Sequence, residues 1–170
     1  SHAAAYALIA YQTAFLKTYY KEEFIAATMS TEMNNTDKLR EFVEELKRLK
    51  VNVVRPDINL CDSDFKTDTN KIFYGLSAIK NVGFEAITNI VNERKKNGIF
   101  KNINDFIKRV DPKDVNKLQL EGLVKSGSLD SIDKNRKKIF FSIPKIISSI
   151  KNAHDDKINK QKNLFENIVE

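Results

Sequence analysis

The sequence has little cysteine and no long apolar run, and each shortage excludes a class of protein. Cys61 is its single cysteine, so a disulfide within the chain is excluded and a reducing, intracellular setting is expected. Because no histidine lies near Cys61 in the sequence, a small core residue is favoured over a nucleophile. No apolar run reaches the ~18 residues of a membrane-spanning helix, so we expect no membrane partner.

The N-terminal segment lacks the marks of a secretory signal. SHAAAYALIAYQTAFL is apolar, but it has neither a basic segment before its apolar residues nor a cleavage site after them. The segment starts without methionine and already inside an amphipathic pattern. We therefore expect the chain to be a piece of a longer, cytoplasmic protein.

Catalytic and metal-binding patterns are also missing. No P-loop, zinc-ligand spacing or Ser/His/Asp arrangement occurs, so we predict no catalytic residue, no metal site and no cofactor in this chain. Asp57 beside Pro56 is better explained as a turn residue, and the pair Asp155 and Asp156 as part of a solvated loop.

The charge balance is basic. Lys and Arg number 29 against 23 Asp and Glu, which gives a net charge of +6 and a pI of about 9.3. This balance favours an anionic partner, but high Lys and Asn usage also arises from coding bias. Charge alone leaves a nucleic-acid partner and a merely solvated basic surface as equal alternatives.

Helical periodicity dominates the chain. We predict helices over 3–20 and 22–33 and a third in NNTDKLREFVEELKRLK, with Asn35 or Thr36 as its N-cap. VNVVRPDIN predicts a short strand, and Phe65–Thr67 with Ile72–Gly75 predicts a small β-hairpin. The further predicted helices are Gly83–Lys96, Ile103–Arg109, Pro112–Ser126, Ser131–Ser142 and Pro144–Asn152, followed by a polar, linker-like tail.

The stretch SAIKNVGFEAITNIVNERKK places a glycine between two apolar runs. A helix, a tight turn and a second helix form a helix-hairpin-helix, in which Gly83 supplies a backbone geometry that other residues adopt reluctantly. The free N–H groups of Gly83, Phe84 and Glu85, at the positive end of a helix dipole, suit a DNA phosphate. The cations expected to assist are Lys80, Arg94, Lys95 and Lys96. An ordinary αα-corner remains the alternative, and Glu85 stands where many such motifs carry a second glycine.

A second stretch, LQLEGLVKSGSLDSIDKNRKK, repeats this plan. Its turn is Ser126-Gly127-Ser128, and basic residues that include Lys134 and Arg136 follow in the next helix. Serine hydroxyls can donate to phosphate as well as cap the helix. Two such units contact a DNA backbone at two points without reading its sequence, so tandem use favours DNA binding over a structural role.

Several motifs together resemble the family of bacterial replicative DNA polymerase III alpha subunits. SHAAAYALIAYQT resembles the lysine-Ser-His-small-small-small-Tyr-Ala run of the fingers region and the Tyr-Gln-Thr beyond it, and Asn35-Thr36 resembles its Asn-Thr. RPDIN, YGLSAIKNVG and LVKSGSLD are similar to three later motifs of the family, in the same order. The resemblance covers essentially the whole chain.

The resemblance implies a fold and four parts. The expected fold is mainly α, with a helical fingers segment over 1–60, one small β-hairpin over 61–76, a tandem helix-hairpin-helix domain over 77–152 and a flexible tail over 153–170. It also implies that His2, with Ser1 beside it, lies near the triphosphate of the incoming nucleotide. For Tyr6, core packing is favoured over a place in that nucleotide pocket.

The tail fits the resemblance too. The family carries an internal sliding-clamp motif after its tandem hairpins, and QKNLF supplies Gln161, Leu164 and Phe165. Two apolar anchors bind a pocket while an amide fixes the register.

The resemblance further implies a parent enzyme, a DNA-directed DNA polymerase that uses Mg²⁺ and deoxynucleoside triphosphates. Its metal-binding acids belong to a palm upstream of this chain, so we expect no polymerisation by this chain alone. The implied partners are duplex or primer-template DNA, the sliding clamp and other replisome subunits. The alternatives are a non-enzymatic helical scaffold or a DNA-repair-type helix-hairpin-helix module.

Overall fold

The computed structural model describes the backbone of residues 2–166 and the side chains of residues 2–159. Its described residues form eight α-helices and a small three-stranded sheet, so the fold is mainly α as predicted. The helices are α1 His2–Tyr19, α2 Lys21–Thr31, α3 Thr36–Arg48, α4 Phe84–Asn97, α5 Ile103–Arg109, α6 Lys117–Ser126, α7 Arg136–Phe141 and α8 Ile143–Glu166. Within the described part of the chain, no helix combines the length and the hydropathy that crossing a membrane requires.

Four of the helices begin at an asparagine whose side chain caps the first turn. The side-chain oxygens of Asn35, Asn102, Asn116 and Asn135 each accept a hydrogen bond from the backbone N–H three residues further on. Such a bond satisfies one of the free N–H groups at a helix start and stabilises the helix by ~1 kcal/mol. The high Asn content of the sequence therefore has a structural use, and Asn35 is confirmed as the N-cap of α3.

The sheet joins three short strands, β1 Asn52–Val54, β2 Lys66–Asp68 and β3 Lys71–Phe73, in the order β1-β3-β2. β2 and β3 form the predicted antiparallel hairpin, and Asn70 adopts the left-handed conformation at its turn, with φ of 58°. β1 pairs in parallel with β3, which the sequence did not predict because that pairing joins segments far apart in the chain.

The smaller of two hydrophobic cores lies in the N-terminal part. Its buried residues come from α2, α3 and the sheet: Ile25, Ala26, Met29, Leu39, Leu46, Val51, Phe65 and Ile72. The β-hairpin therefore contributes to the N-terminal core instead of only connecting two domains. No residue of α1 is buried, although that helix carries large apolar and aromatic side chains.

The larger core holds the C-terminal part together. It contains twenty buried residues between Ile58 and Ile150, including Phe100 and Phe106, whose rings pack edge to face with centroids 5.2 Å apart. Cys61 is fully buried in this core, which confirms that it is a core residue, and burial raises the pKa of its thiol.

Several predicted helix boundaries were wrong because local hydrogen bonds interrupt the apolar pattern. The predicted helix Pro112–Ser126 is a 3₁₀ turn at Pro112–Asp114 followed by α6, which Asn116 caps. The predicted helix Ser131–Ser142 begins only at Arg136, after turns in which Leu129 O accepts from the N–H groups of Ile132 and Asp133.

The C-terminal helix is longer than the predicted Pro144–Asn152. α8 runs to Glu166, so the backbone over 153–166 is helical where a linker-like tail was expected. Its first half packs on the larger core through Ile146 and Ile150.

Candidate nucleic-acid interface

The turn before α4 is the main candidate contact for a phosphate. The predicted motif required an α-helix directly before the turn, but a 3₁₀ turn at Leu76–Ala78 leads instead through Asn81 to α4. Asn81 adopts the left-handed conformation, with φ of 68°, whereas Gly83 has φ of −73° and ψ of 138°. The prediction that Gly83 supplies an unusual backbone geometry was wrong, because any residue adopts these angles. We call residues 79–85 the α4 turn.

The start of α4 has no side-chain cap. Gly83 occupies the N-cap position and has no side chain to accept from the first N–H groups of the helix. Those groups, on Phe84, Glu85 and Ala86, have no intrahelical partner by the geometry of a helix start. Gly83, Phe84 and Glu85 are exposed, and Ala86 is partly exposed.

Open space surrounds Gly83. A Cβ atom built on Gly83 meets no heavy atom within 4 Å. Neither backbone strain nor internal packing therefore requires glycine there. Absence of a side chain does allow another molecule to approach the backbone closely, which is the remaining physical use of a glycine at an exposed helix start. Lys80 is exposed on the same turn, and so is the carboxylate-bearing Glu85.

The basic end of α4 does not form the uniform cationic surface that was predicted. Arg94 is buried, and its guanidinium donates to Ile58 O at 2.7 Å, to Cys61 O at 2.5 Å and to Asp62 Oδ1 at 2.6 Å. Its assignment as a DNA contact is therefore not supported, because the guanidinium is buried and three of its hydrogen bonds hold segment 58–62. Lys95 is exposed and pairs with Asp62 at 2.9 Å.

Asp62 receives three cations. Partial burial by itself would raise its pKa, but the hydrogen bond from Lys95 and the charges of Lys95, Arg94 and Lys66 hold the pKa of Asp62 below its ordinary value. Lys96 is exposed and lies about 20 Å along α4 from Gly83, at a rise of ~1.5 Å per residue.

Segment 57–62 joins the C-terminal end of α4 to the second hairpin. Ile58 donates its N–H to Ser128 O at 2.8 Å while its carbonyl accepts from Arg94. Asn59 exchanges two hydrogen bonds with the backbone of Phe100, both at 2.8 Å. The RPDIN motif, Arg55–Asn59, thus has a structural explanation as the connector between the two hairpins.

The second turn is largely occupied by internal contacts. Ser128 is fully buried, and its hydroxyl lies 2.7 Å from that of Ser126. Gly127 caps α6 in the left-handed conformation with φ of 82°, and a Cβ there would collide with the guanidinium of Arg136. Arg136 in turn donates from Nε to Asp130 Oδ1 at 2.7 Å.

These contacts correct part of the predicted site. Ser128 lies outside solvent reach, and the guanidinium of Arg136 covers Gly127. Of the residues predicted for the second turn, Lys134 is exposed and Ser126 is partly exposed. The second turn therefore offers less to a phosphate than the α4 turn does.

Gly122 brings the two hairpins together, and the sequence reasoning missed it. It lies inside α6, and a Cβ there would stand 2.6 Å from Lys80 O and 3.4 Å from Val82 Cγ2. The helix therefore packs directly on the backbone of the α4 turn. A glycine inside a helical pattern costs ~1 kcal/mol against alanine, and that cost was the available signal of a close approach.

The remaining predicted residues lie at the two ends of the chain. His2 is exposed at the start of α1, and Ser1 lies outside the described residues. Tyr6 is 71% exposed, so the favoured core packing is not observed. The side chains of Gln161, Leu164 and Phe165 also lie outside the described residues, although their backbone belongs to α8.

Comparison with known families bears on this geometry. A family model described as the helix-hairpin-helix motif matches residues 50–139, which include both turns and the connector between them. The chain belongs to the helix-hairpin-helix family.

Relatives of this helix-hairpin-helix chain extend the similarity beyond the matched residues. The chain is 46% identical over 165 residues to the DNA polymerase III subunit alpha of Borreliella burgdorferi. The aligned residues cover 97% of this chain and 14% of that protein. It is 43% identical over 165 residues to the same subunit of Caulobacter vibrioides, again covering 97% of this chain and 14% of that protein.

A third relative is the DNA polymerase III subunit alpha of Thermus aquaticus. It is 47% identical over 131 residues, which cover 77% of this chain and 11% of that protein. The chain thus spans about 14% of the length of the curated relatives that it matches over nearly its whole length. The predicted family resemblance is confirmed.

Proposed function

We propose that this chain is the DNA-holding segment of a bacterial replicative DNA polymerase, a DNA polymerase III alpha subunit, and binds duplex DNA without reading its sequence. The observation that carries the proposal is the uncapped, exposed start of α4 at Gly83, where nothing lies within 4 Å of a built Cβ. Gly83 lies inside the helix-hairpin-helix match, and the similarity to DNA polymerase III alpha subunits also supports this assignment.

In this proposal the α4 turn binds one backbone phosphate. The N–H groups of Gly83, Phe84 and Glu85 donate to phosphate oxygens, and the helix dipole adds a partial positive charge. Lys80 adds charge beside the turn, and Lys95 and Lys96 add it at the far end of α4. Contacts of this kind fix the position of the duplex and leave its base sequence unread.

The second turn has a different role. Arg136 covers Gly127 and donates to Asp130, and the carbonyl of Ser128 accepts from Ile58 of the connector. These contacts hold the shape of the hairpin pair. Lys134 is then the direct phosphate contact on this side, with Ser126 at its edge. This division combines the DNA-binding role of one turn with the scaffold role of the other.

The parent polypeptide carries the chemistry in this proposal. Nucleotidyl transfer uses Mg²⁺ held by carboxylates, and the described residues contain no group of three or more His, Cys, Asp or Glu side chains that suits a metal ion. No step of the reaction is therefore assigned to this chain. His2 and Ser1 contact the triphosphate of the incoming nucleotide in the whole polymerase, an assignment that rests on the motif around them.

The end of α8 binds the sliding clamp in this proposal and places the polymerase among other replisome subunits. On the helical backbone of α8, positions 161, 164 and 165 are spaced i, i+3 and i+4 and so share one face. In this proposal Gln161 supplies the amide, and Leu164 and Phe165 supply the two apolar anchors.

A cap substitution tests the carrying observation. Gly83→Asp places a carboxylate where phosphate is proposed to bind, while Asp is itself a favourable N-cap residue, so α4 keeps its stability. We expect duplex affinity, measured by fluorescence anisotropy at low salt, to fall at least tenfold. Asn116→Asp is the matched control, because it adds the same charge at the cap of α6, at the opposite end of that helix from the second turn.

Equal affinity of both folded variants and the unchanged chain would remove the phosphate from the α4 turn and favour the scaffold alternative. Circular dichroism and a thermal unfolding curve establish that each variant is folded. An equal loss in both variants would show that net charge alone governs binding and would also contradict the proposal.

A further inference from the structure

A groove lies between the C-terminal half of α6 and α7, away from the groups assigned above to the α4 turn. Its volume is about 330 Å³. It is lined by Val124, Lys125, Arg136, Lys137, Phe140 and Phe141. The groove therefore combines two aromatic rings with three cationic side chains, a composition suited to a flat, anionic ligand.

The two phenylalanines differ in what covers them. Phe140 is partly buried, and Lys125 Nζ lies 5.1 Å from the centre of its ring. Phe141 is 74% exposed, the largest exposed fraction among the exposed large apolar side chains described. The ring centroids are 5.9 Å apart and the ring planes meet at 85°. A flat ligand stacked on Phe141 is therefore nearly perpendicular to Phe140, and the groove accepts one such ring at a time.

The charge around the groove is positive. Lys125 pairs with Glu121 at 3.3 Å, Arg136 with Asp130, and Lys138 with Asp133 at 3.7 Å. Among the described residues Lys134 and Lys137 form no ion pair, and both are exposed. Lys137 lines the groove and is therefore an available cation that complements a phosphodiester backbone.

We propose that this groove binds single-stranded DNA by stacking one unpaired base on Phe141 while Lys137 contacts a flanking phosphate. A base inside a duplex has both faces covered by its neighbours, so only an unstacked base offers a face to the ring. Every base has such a face, and the contact is therefore indifferent to sequence. The inference rests on the proposed function only in taking DNA as the partner.

A tryptophan probe tests the stacking directly. The chain contains no tryptophan, so in Phe141→Trp all indole emission comes from this groove. We expect saturable quenching when oligo(dT) is added at low salt, because a stacked base quenches indole fluorescence. An abasic strand of equal length and charge is expected to leave the emission unchanged. Ile99→Trp is the matched control, since Ile99 is also exposed, at 63%, but lies outside the groove.

Phe141→Ala measures the contribution of the ring. One stacked base contributes ~1–3 kcal/mol, which corresponds to a loss of about 5- to 150-fold in affinity for oligo(dT). Affinity for a blunt duplex is expected to stay unchanged, because the α4 turn carries that contact. Gly83→Asp combined with Phe141→Trp separates the two proposals: the quenching by oligo(dT) is expected to persist when duplex binding is lost.

Three results would overturn the inference. Equal quenching by the abasic strand would mean that charge alone binds there. Quenching by an acidic peptide but not by oligo(dT) would assign the groove to a protein partner. Loss of the oligo(dT) signal in the variant that carries Gly83→Asp would make Phe141 part of the duplex contact.

Discussion

At the residue scale, Arg94 shows how a cationic side chain in a basic run serves the fold. ERKK reads as a surface feature, yet Arg94 is buried and joins α4 to Ile58, Cys61 and Asp62. A guanidinium suits this position because its planar fork donates in several fixed directions at once. The neighbouring Lys95, one residue further around the helix, is exposed.

We predict that Arg94→Ala destabilises the chain by ~3–5 kcal/mol, because it leaves buried carbonyls and a carboxylate without their cationic partner. Urea unfolding followed by circular dichroism measures the loss. Lys95→Ala is the control: it removes an exposed partner of the same carboxylate and is expected to cost less than ~1 kcal/mol. Similar losses in both variants would contradict a structural role specific to Arg94.

At the element scale, the contact between α6 and the α4 turn sets the geometry of the candidate interface. α6 approaches through Gly122, against the carbonyl of Lys80. The same carbonyl belongs to the residue whose side chain is proposed to attract phosphate. A change in α6 is therefore expected to act on DNA binding without touching the DNA.

We predict that Gly122→Ala weakens both folding and duplex binding. Alanine is the better helix former by ~1 kcal/mol, but its Cβ would stand 2.6 Å from the Lys80 carbonyl, so the backbone of one element must shift. Thermal unfolding and anisotropy titrations check the two effects. For the unfolding measurement, Gly83→Ala is the control for added volume, because its Cβ meets nothing within 4 Å. A more stable Gly122→Ala variant with unchanged affinity would show that α6 does not position the turn.

At the scale of the whole molecule, the chain has a net charge of +6, and its described part packs around two hydrophobic cores. The larger core supports both hairpins, and the smaller core includes the sheet. The excess charge attracts any polyanion, so only contacts at defined positions distinguish a DNA-binding surface from a merely basic one.

We predict that duplex affinity falls steeply with salt and that Lys80→Gln lowers the slope of log K against log salt by ~0.9, the contribution of one neutralised phosphate. Lys47→Gln is the control, since Lys47 is an exposed cation of α3 that already pairs with Glu44. The two slopes come from titrations over a range of salt concentrations. An unchanged slope for Lys80→Gln would exclude this lysine from the DNA contact.

The sequence by itself determined what depends on local pattern. Periodicity placed most helices, Asn35 marked a cap, and the polar turn before β3 marked the hairpin. The order of several short motifs also identified the polymerase family, because motif order does not depend on knowing any contact. The starts of α6 and α7, capped by Asn116 and Asn135, and the end of α8 at Glu166 were misplaced, because capping and packing decide where a helix begins and stops.

Only the tertiary structure decided which residues of each motif remain available to a ligand. Arg94, Gly127 and Ser128 have the composition of a phosphate site. Arg94 is buried by contacts with Ile58, Cys61 and Asp62, far away in the chain, whereas Arg136 covers Gly127 and the buried Ser128 accepts at its carbonyl from the distant Ile58. The pairing of β1 with β3 and the approach of Gly122 to Lys80 are likewise non-local. A sequence pattern specifies the chemistry of a side chain, whereas long-range packing decides whether solvent or DNA reaches it.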